Sequence, residues 1–264
     1  MTSLRALRRS CLLIGLPVAL LALWWIASDR STSFYLPPLR RILAVLGPTW
    51  SSRWGSDVLP SVARLAIGYA GAVVAGVALG VVLGERPRLR AVVEPVLELF
   101  RAIPPPALVP AFMLVFGLGT AMKLLVIASG AMWPVLLNTI EGVRAIDEVL
   151  ADTCRCYGIT GATRLRVLVL RAASPQIVTG MRQALSIAII LMVISEMFAS
   201  SSGLGFAIID FQRQFSIPEM WSGILLLGAL GFALSLGFRV FESRALRWYH
   251  ALRRPDPGQP REGA

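Results

Sequence analysis

An all-helical bundle crossing a membrane about six times is the fold class this sequence predicts, and three observations carry that prediction. Of 264 residues, 56% are hydrophobic and 16% charged, and the mean hydropathy is +0.69, outside the range of soluble globular domains. The apolar residues gather into runs of 16 to 20, close to the roughly 20 helical residues that cross a bilayer core. The formal net charge of +11 resides in arginines placed between those runs. That pattern suits membrane topology and argues against a nucleic-acid surface, which would collect its charge on one basic face.

The first run, 11–27 (CLLIGLPVALLALWWIA), follows Arg5, Arg8 and Arg9, so residues 1–30 read as a cytoplasmic N-terminus and a first span. A basic start before an apolar run also suits a signal peptide, but this run closes on Trp24, Trp25 and Ile26 without a small-x-small cleavage site. Residues 65–84, 124–140, 183–199 and 221–238 are clear spans. Residues 102–117 (AIPPPALVPAFMLVFG) are the irregular one. Pro104, Pro105, Pro106 and Pro110 each remove a backbone donor, so the segment is expected to enter the membrane irregularly and turn helical only later. Without it the count falls to five and one terminus changes side. A core of 31–250 then precedes a polar tail, 251–264, expected to be disordered.

Basic residues are retained on the cytoplasmic side during insertion. With six spans and the N-terminus inside, 19 arginines fall on that side, against seven basic residues (Arg30, Arg40, Arg41, Arg53, Arg64, Lys123 and Arg213) outside or at the outer rim. The asymmetry puts both termini in the cytoplasm, together with a polar loop at 141–182. Lys123 is expected in a tight outer turn.

Gly68, Ala72, Gly76, Gly80 and Gly84 recur every four residues, giving the second span a smooth face that another helix can approach closely. Packing within the chain and packing against a second copy both fit. Glu196 is an acid inside an apolar span, about 21 Å along the helix from Arg182 at 1.5 Å per residue. Facing lipid there would cost a few kcal/mol, so it must face protein or a water-filled path. One reading puts Glu196, Ser195 and the turn Ser200-Ser201-Ser202 at an outer gate; the other pairs Glu196 with Arg64 or Arg213, or with local backbone.

The loop 141–182 is the hydrophilic island of the chain. From Asp147 the pattern is helical, with Leu150, Cys154 and Tyr157 at i, i+4 and i+7. Gly158 ends that helix, as a residue tolerant of left-handed geometry does. A second short helix is expected to follow, carrying Leu165, Leu168 and Val169 on one face with Arg164, Arg166 and Arg171 around it. Two short helices joined at a glycine make a protruding knob; a basic loop lying on lipid headgroups is the other reading. Cys154 and Cys156 are one residue apart, neither a metal nor a redox spacing, and are expected as free thiols, as is Cys11.

Chemistry of its own is disfavoured. A phosphate-binding loop needs G-x-x-x-x-G-K-[ST], and the only lysine, Lys123, stands between Met122 and Leu124. His250, the sole histidine, has no ligand partner at metal spacing.

The order of motifs resembles the permease subunits of bacterial ABC importers of the nitrate/sulfonate/taurine type. In that family an E-A-A-x-x-x-G motif is followed at a fixed interval by Leu-Pro and a second Pro. Aligned on Gly158, Asp152, Thr153 and Cys154 take the E-A-A places, Leu170-Arg171 the Leu-Pro place and Pro175 the second proline. FYLPP at 34–38, LPSVARLAIGYAGA at 59–72, RAIPPPALVP at 101–110, FGLGTAMK at 116–123, WPVLLNTIEGVRAID at 133–147 and SEMFASSSGLGFAI at 195–208 are similar to family stretches in the same order. The resemblance covers about residues 34–250.

It implies a type I ABC importer permease fold, with Asp152, Thr153, Cys154, Tyr157, Gly158 and Arg164 contacting a cytoplasmic ATPase dimer through the 147–171 loop. It also implies a second permease subunit as homodimer partner, an extracytoplasmic solute-binding protein, ATP bound only by the partner, and a small anionic solute. The departures are Asp152 for the acid, Thr153 and Cys154 for alanines, and Arg171 for proline. Arg171 restores a backbone donor, so the second helix is expected to run straighter than in relatives. The rival reading is a carrier or channel with no ATPase, which usually needs several titratable groups in its spans.

Overall fold

The computed structural model describes residues 15, 19, 22–29, 33–198 and 200–252. Residues 22–29 (α1) are helical; the rest of the predicted first span, its retention or cleavage, Cys11 and the 253–264 tail lie outside the described residues. After α1 the chain builds α2 (Leu39–Ser52), α3 (Leu59–Glu85, entered through a π turn at Trp54–Val58), α4 (Pro87–Ala102), α5 (Val109–Phe116) and α6 (Thr120–Arg144). It continues with α7 (Glu148–Cys156), α8 (Gly161–Arg164), α9 (Leu170–Phe198), α10 (Leu204–Arg213), α11 (Ile217–Ala245) and α12 (Arg247–Leu252). Four stretches are long and apolar enough to cross a membrane: 54–85, 120–144, 161–198 and 217–245. They contain the four clear runs of the sequence apart from residue 199, which lies outside the described residues.

The chain divides into two compact units, one holding residues up to Pro60 with Ser201–Ala229 and the other Ser61–Ser200 with Leu230 onward. In the first, the Trp50 indole donates to Ser222 Oγ at 3.0 Å and packs edge-on against Phe211. Arg53 lies over the Phe211 ring and faces Asp57 and Asp210. Asp57 in turn accepts the Gly203 N–H at 2.8 Å, fixing the turn before α10.

The second unit is built on the glycine stripe. A Cβ added to Gly68, Gly76, Gly80 or Gly84 would come within 2.9 Å of Ile127, Val135, Thr139 or Val143 respectively. The register puts Ala72 opposite Ala131, both fully buried. All five small residues thus let α3 lie against α6 within one chain, because a side chain at any of them would push the helices apart. Both series of numbers rise together, so α3 and α6 are parallel. Helix α9 runs the opposite way: Gly142 meets Ala173 and Gln176, Gly180 meets Val135 and Asn138, and Gly130 meets Leu191. Helix α11 is antiparallel to α9, through an ion pair of Glu242 with Arg182 and the approach of Gly231 to Ile189.

Parallel neighbours force the connecting chain, 86–119, to return the full length between them, and it does so in broken form. Helix α4 ascends α6: Val93 and Leu97 pack beside Leu136, Ile140 and Trp133, and Pro105 reaches Gly130. A 3-10 turn at Pro105–Leu108 follows, and α5 leaves at 84°. The expected span 102–117 is therefore not one helix. Its helical part, eight residues long, covers about 12 Å, and the four prolines account for the break. Arg101, in the last turn of α4, lines a small cavity together with Arg90, Glu141 and Arg144.

The knob also differs from its prediction. Helix α8, a π turn at Leu165–Val169 and α9 are continuous over Gly161–Phe198, so the second helix is no separate element but the root of a span. Arg171, where the family motif has proline, keeps its backbone donor and sits against the Trp248 ring. Val169 is buried with Val81, Val143 and Ala173, anchoring that root to α3 and α6, and Leu168 beside it in sequence is buried too.

Candidate functional site

The spans of the second unit carry polar groups at both ends. At the end formed by the start of α3, the start of α6 and the close of α9, Glu196 is fully buried. Arg64 Nη1 donates to Glu196 Oε1 at 2.8 Å, and the Ser61 hydroxyl lies 2.8 Å from both carboxylate oxygens. Ser61 and Arg64 stand three residues apart on α3, so one helical face presents both to the acid. Lys123 is 4% exposed and donates to Ser200 Oγ at 2.6 Å. It lies within electrostatic range of Arg64 and Glu196. Arg64 thus holds the carboxylate directly and Lys123 adds its field in a nearly dry setting, where charges interact far more strongly than in water.

Several sequence readings are decided or changed here. Glu196 pairs with Arg64; Arg213 is an exposed residue of the other unit. Lys123, expected in an outer turn, is buried in the first turn of α6. Ser195 is buried but bonds back to the Met192 carbonyl at 2.9 Å within its own helix, and Ser200 meets Lys123. Ser201 and Ser202 belong to the first unit, in the turn before α10. Ser61 carried no sequence signal, being 135 residues from its partner. For Lys123 there was a signal: it is the one lysine in a chain of 26 basic residues.

At the opposite end α7 stands out from the spans as an elbow. Asp147 caps it, accepting from the Val149 and Leu150 N–H groups at 2.8 and 3.1 Å. Gly158 closes it at φ 63°, with its N–H on the Arg155 carbonyl and the Ile159 N–H on the Cys154 carbonyl. That bonding is the Schellman pattern, which needs a left-handed residue at Gly158. Gly161, at φ 58°, supplies a second left-handed corner that the sequence reading missed. Of the stripe Leu150, Cys154 and Tyr157 only Cys154 is buried. Tyr157 is 79% exposed, and Val149 and Leu150 are exposed as well, so much of the apolar surface of α7 is left uncovered by its own unit. Asp152 and Thr153 are exposed, Asp152 paired with Arg155 at 3.1 Å. Arg164 pairs with Glu85 at the end of α3, tying the elbow's far limb to the bundle.

Between the elbow and the ends of α3, α4 and α6 lies a polar crevice of about 820 Å³. Among the described residues no group of three or more His, Cys, Asp or Glu side chains could hold a metal ion.

Comparison with known proteins gives a consistent answer. A family model described as "Binding-protein-dependent transport system inner membrane component" matches residues 73–247. The taurine transport system permease protein TauC of Escherichia coli is 28% identical over 251 residues, 92% of this chain and 91% of that protein. The bicarbonate transport system permease protein CmpB of Synechococcus elongatus is 31% identical over 179 residues, 67% of this chain and 64% of that protein. Among solved structures, one described as inward facing conformations of the MetNI methionine ABC transporter is similar, with a TM-score of 0.59 at 21% identity, covering 72% of this chain and 94% of that one. At that identity the likeness speaks for the fold.

Proposed function

We propose a working arrangement for a chain that belongs to the family of binding-protein-dependent transport system inner membrane components. It is the permease subunit of an ABC importer, a multi-pass membrane protein that works with an ATPase and a solute-binding protein. It is not an enzyme; ATP is hydrolysed by the separate ATPase.

In our reading the elbow, Asp147 to Arg171, is cytoplasmic and seats in the ATPase through Asp152, Thr153, Cys154, Tyr157, Gly158 and Arg164. Both termini lie on the same side, as the arginine asymmetry supports. The chain binds no cofactor of its own and works as a homodimer. The observation that carries this reading is the pairing of an exposed apolar elbow at one end with a buried charge cluster at the other, joined by the continuous helix 161–198. An exposed Tyr157 and Leu150 on a capped, glycine-cornered helix suit a partner's cleft. Glu196, Ser61, Arg64, Lys123 and Ser200 border the outer gate, supported by the bonds of Glu196 with Ser61 and Arg64 and of Lys123 with Ser200.

The solute is a small anion of the sulfonate or taurine class. Supporting this are the solute in TauC's name and the two-to-one excess of cations over carboxylates at the gate. Reconstitution with the ATPase and binding protein tests the whole scheme: ATP-driven uptake of labelled taurine is expected, and Cys156, which is exposed, should label from the cytoplasmic side only. Uptake persisting without the ATPase, or labelling from outside, rejects it. Mass spectrometry of the ligand copurified with the binding protein identifies the solute.

A further inference from the structure

We propose that the crevice behind the elbow is a binding site for a phosphate-bearing anion, of the kind a phospholipid headgroup or free phosphate supplies. This rests on the cytoplasmic placement of the elbow argued above.

The lining of this cavity carries more cations than acids. Five guanidiniums line it, those of Arg86, Arg90, Arg144, Arg155 and Arg164, against three carboxylates. The adjoining smaller cavity along α4, about 280 Å³, has three arginines and three glutamates and is balanced. Of these two adjoining cavities, only the crevice at the mouth of the bundle carries an excess. Pairing inside it sharpens the point. Arg164 is engaged by Glu85 and Arg155 by Asp152, while Arg144 turns to Glu141, outside the crevice. The Arg86 guanidinium has no hydrogen bond or ion pair among the described residues, its backbone carbonyl alone accepting from the Arg90 N–H. Arg90 Nε is buried without a hydrogen-bond acceptor among them, its nearest carboxylate, Glu94, being 3.8 Å away. Against these stands Glu148, the one lining acid without a partner among the described residues.

Guanidiniums short of acceptors favour an anion that supplies them, and phosphate oxygens match the planar geometry that arginine favours. The volume falls within the range of small-ligand sites, roughly 300–1,000 Å³, and exceeds what a bare phosphate fills. Because α3, α6 and α7 all contribute walls, an occupant bridges the elbow to the spans and stiffens the joint between them.

The test uses the intact complex with its ATPase. Phosphatidylglycerol retained by the purified complex is measured by native mass spectrometry, with phosphatidylcholine and millimolar inorganic phosphate as separate arms. The wild type should retain phosphatidylglycerol over phosphatidylcholine. Removing Arg86 or Arg90 should weaken that retention about fivefold each, the worth of one arginine near an anionic surface. Glu148→Gln, which removes the opposing charge, should tighten it by a similar factor; this gain stands as a test even where an arginine variant fails to fold. Arg101→Ala, in the balanced cavity, should change nothing. Displacement of the lipid by inorganic phosphate would keep the site and assign it to a soluble source. Equal retention by the Arg86→Ala/Arg90→Ala variant, no preference over phosphatidylcholine, or binding seen only after the ATPase is stripped away would overturn the proposal. The last outcome would mean that an acidic side chain of the ATPase fills the crevice. Lipid retention is read without transport, so its failure leaves the importer reading intact, whereas uptake without an ATPase would reject that reading and not this site.

Discussion

The two ends of the α3–α6–α9 bundle solve opposite problems with the same residue types. At one, arginine, lysine and glutamate are buried and hydrogen-bonded across three elements; at the other, arginines and acids pair on the surface, within one helix or across a solvated crevice. About 32 Å of α3 separates Arg64 from Glu85 at 1.5 Å per residue, the thickness of a bilayer core. The difference teaches where rigidity resides. A dry ion pair is costly to break from either partner, and a wet one is nearly free to rearrange.

The sharpest way to break the comparison is at Glu196. Glu196→Ala should destabilise the purified complex by about 3–5 kcal/mol, because Arg64 loses a buried carboxylate, and should lower its melting temperature accordingly. Glu196→Gln should assemble yet import nothing; normal uptake by that variant would remove the gate role. Gly80→Val ranks next. Its Cβ would sit 2.5 Å from that of Thr139, and overpacking of this kind costs about 1–3 kcal/mol. Gly71→Ala, where a Cβ meets nothing, serves as control and should be neutral or stabilising by up to about 1 kcal/mol in a melting assay.

At the other end the effects should be smaller and local. Gly158→Val forces a branched residue into the left-handed region at about 1–2 kcal/mol, melting the elbow's corner while the bundle's melting temperature holds. The expected signature is loss of copurifying ATPase with the permease still folded. Smallest of all, Arg155→Ala removes an exposed pair worth less than about 0.5 kcal/mol and should leave thermal stability unchanged.

The same contrast explains what could be read from the sequence. Four spans and the period-four glycines were legible because a run of apolar residues and a stripe of small ones are local patterns. Their partners were not: nothing in the spacing of Gly68 to Gly84 says that it meets Ile127 to Val143, or that the two helices are parallel. The parallel pairing is in turn what requires 86–119 to return between them, a demand that the prolines at 104–106 and 110 disguise as a defective span. Asp147 and Gly158 were read correctly as the bounds of α7, being short-range cap chemistry. The merger of the second short helix with α9 was missed because a π turn leaves no mark in hydrophobic periodicity. Glu196 was visible as an anomaly; Ser61, 135 residues away, was not, since one hydroxyl in an apolar stretch carries no signal of its own.

Helix 161–198, unbroken over 38 residues, has a mechanical corollary. Arg164 and Glu196 sit on it about 48 Å apart at 1.5 Å per residue. Pivoted at the elbow end, such a rod needs a tilt of only about 5° to carry its far end some 4 Å sideways. That travel exceeds the 2.8 Å by which Ser61 and Arg64 hold the carboxylate. On the proposed gate reading, a swing of the elbow is therefore expected to part Ser61 and Arg64 from the carboxylate together rather than in turn.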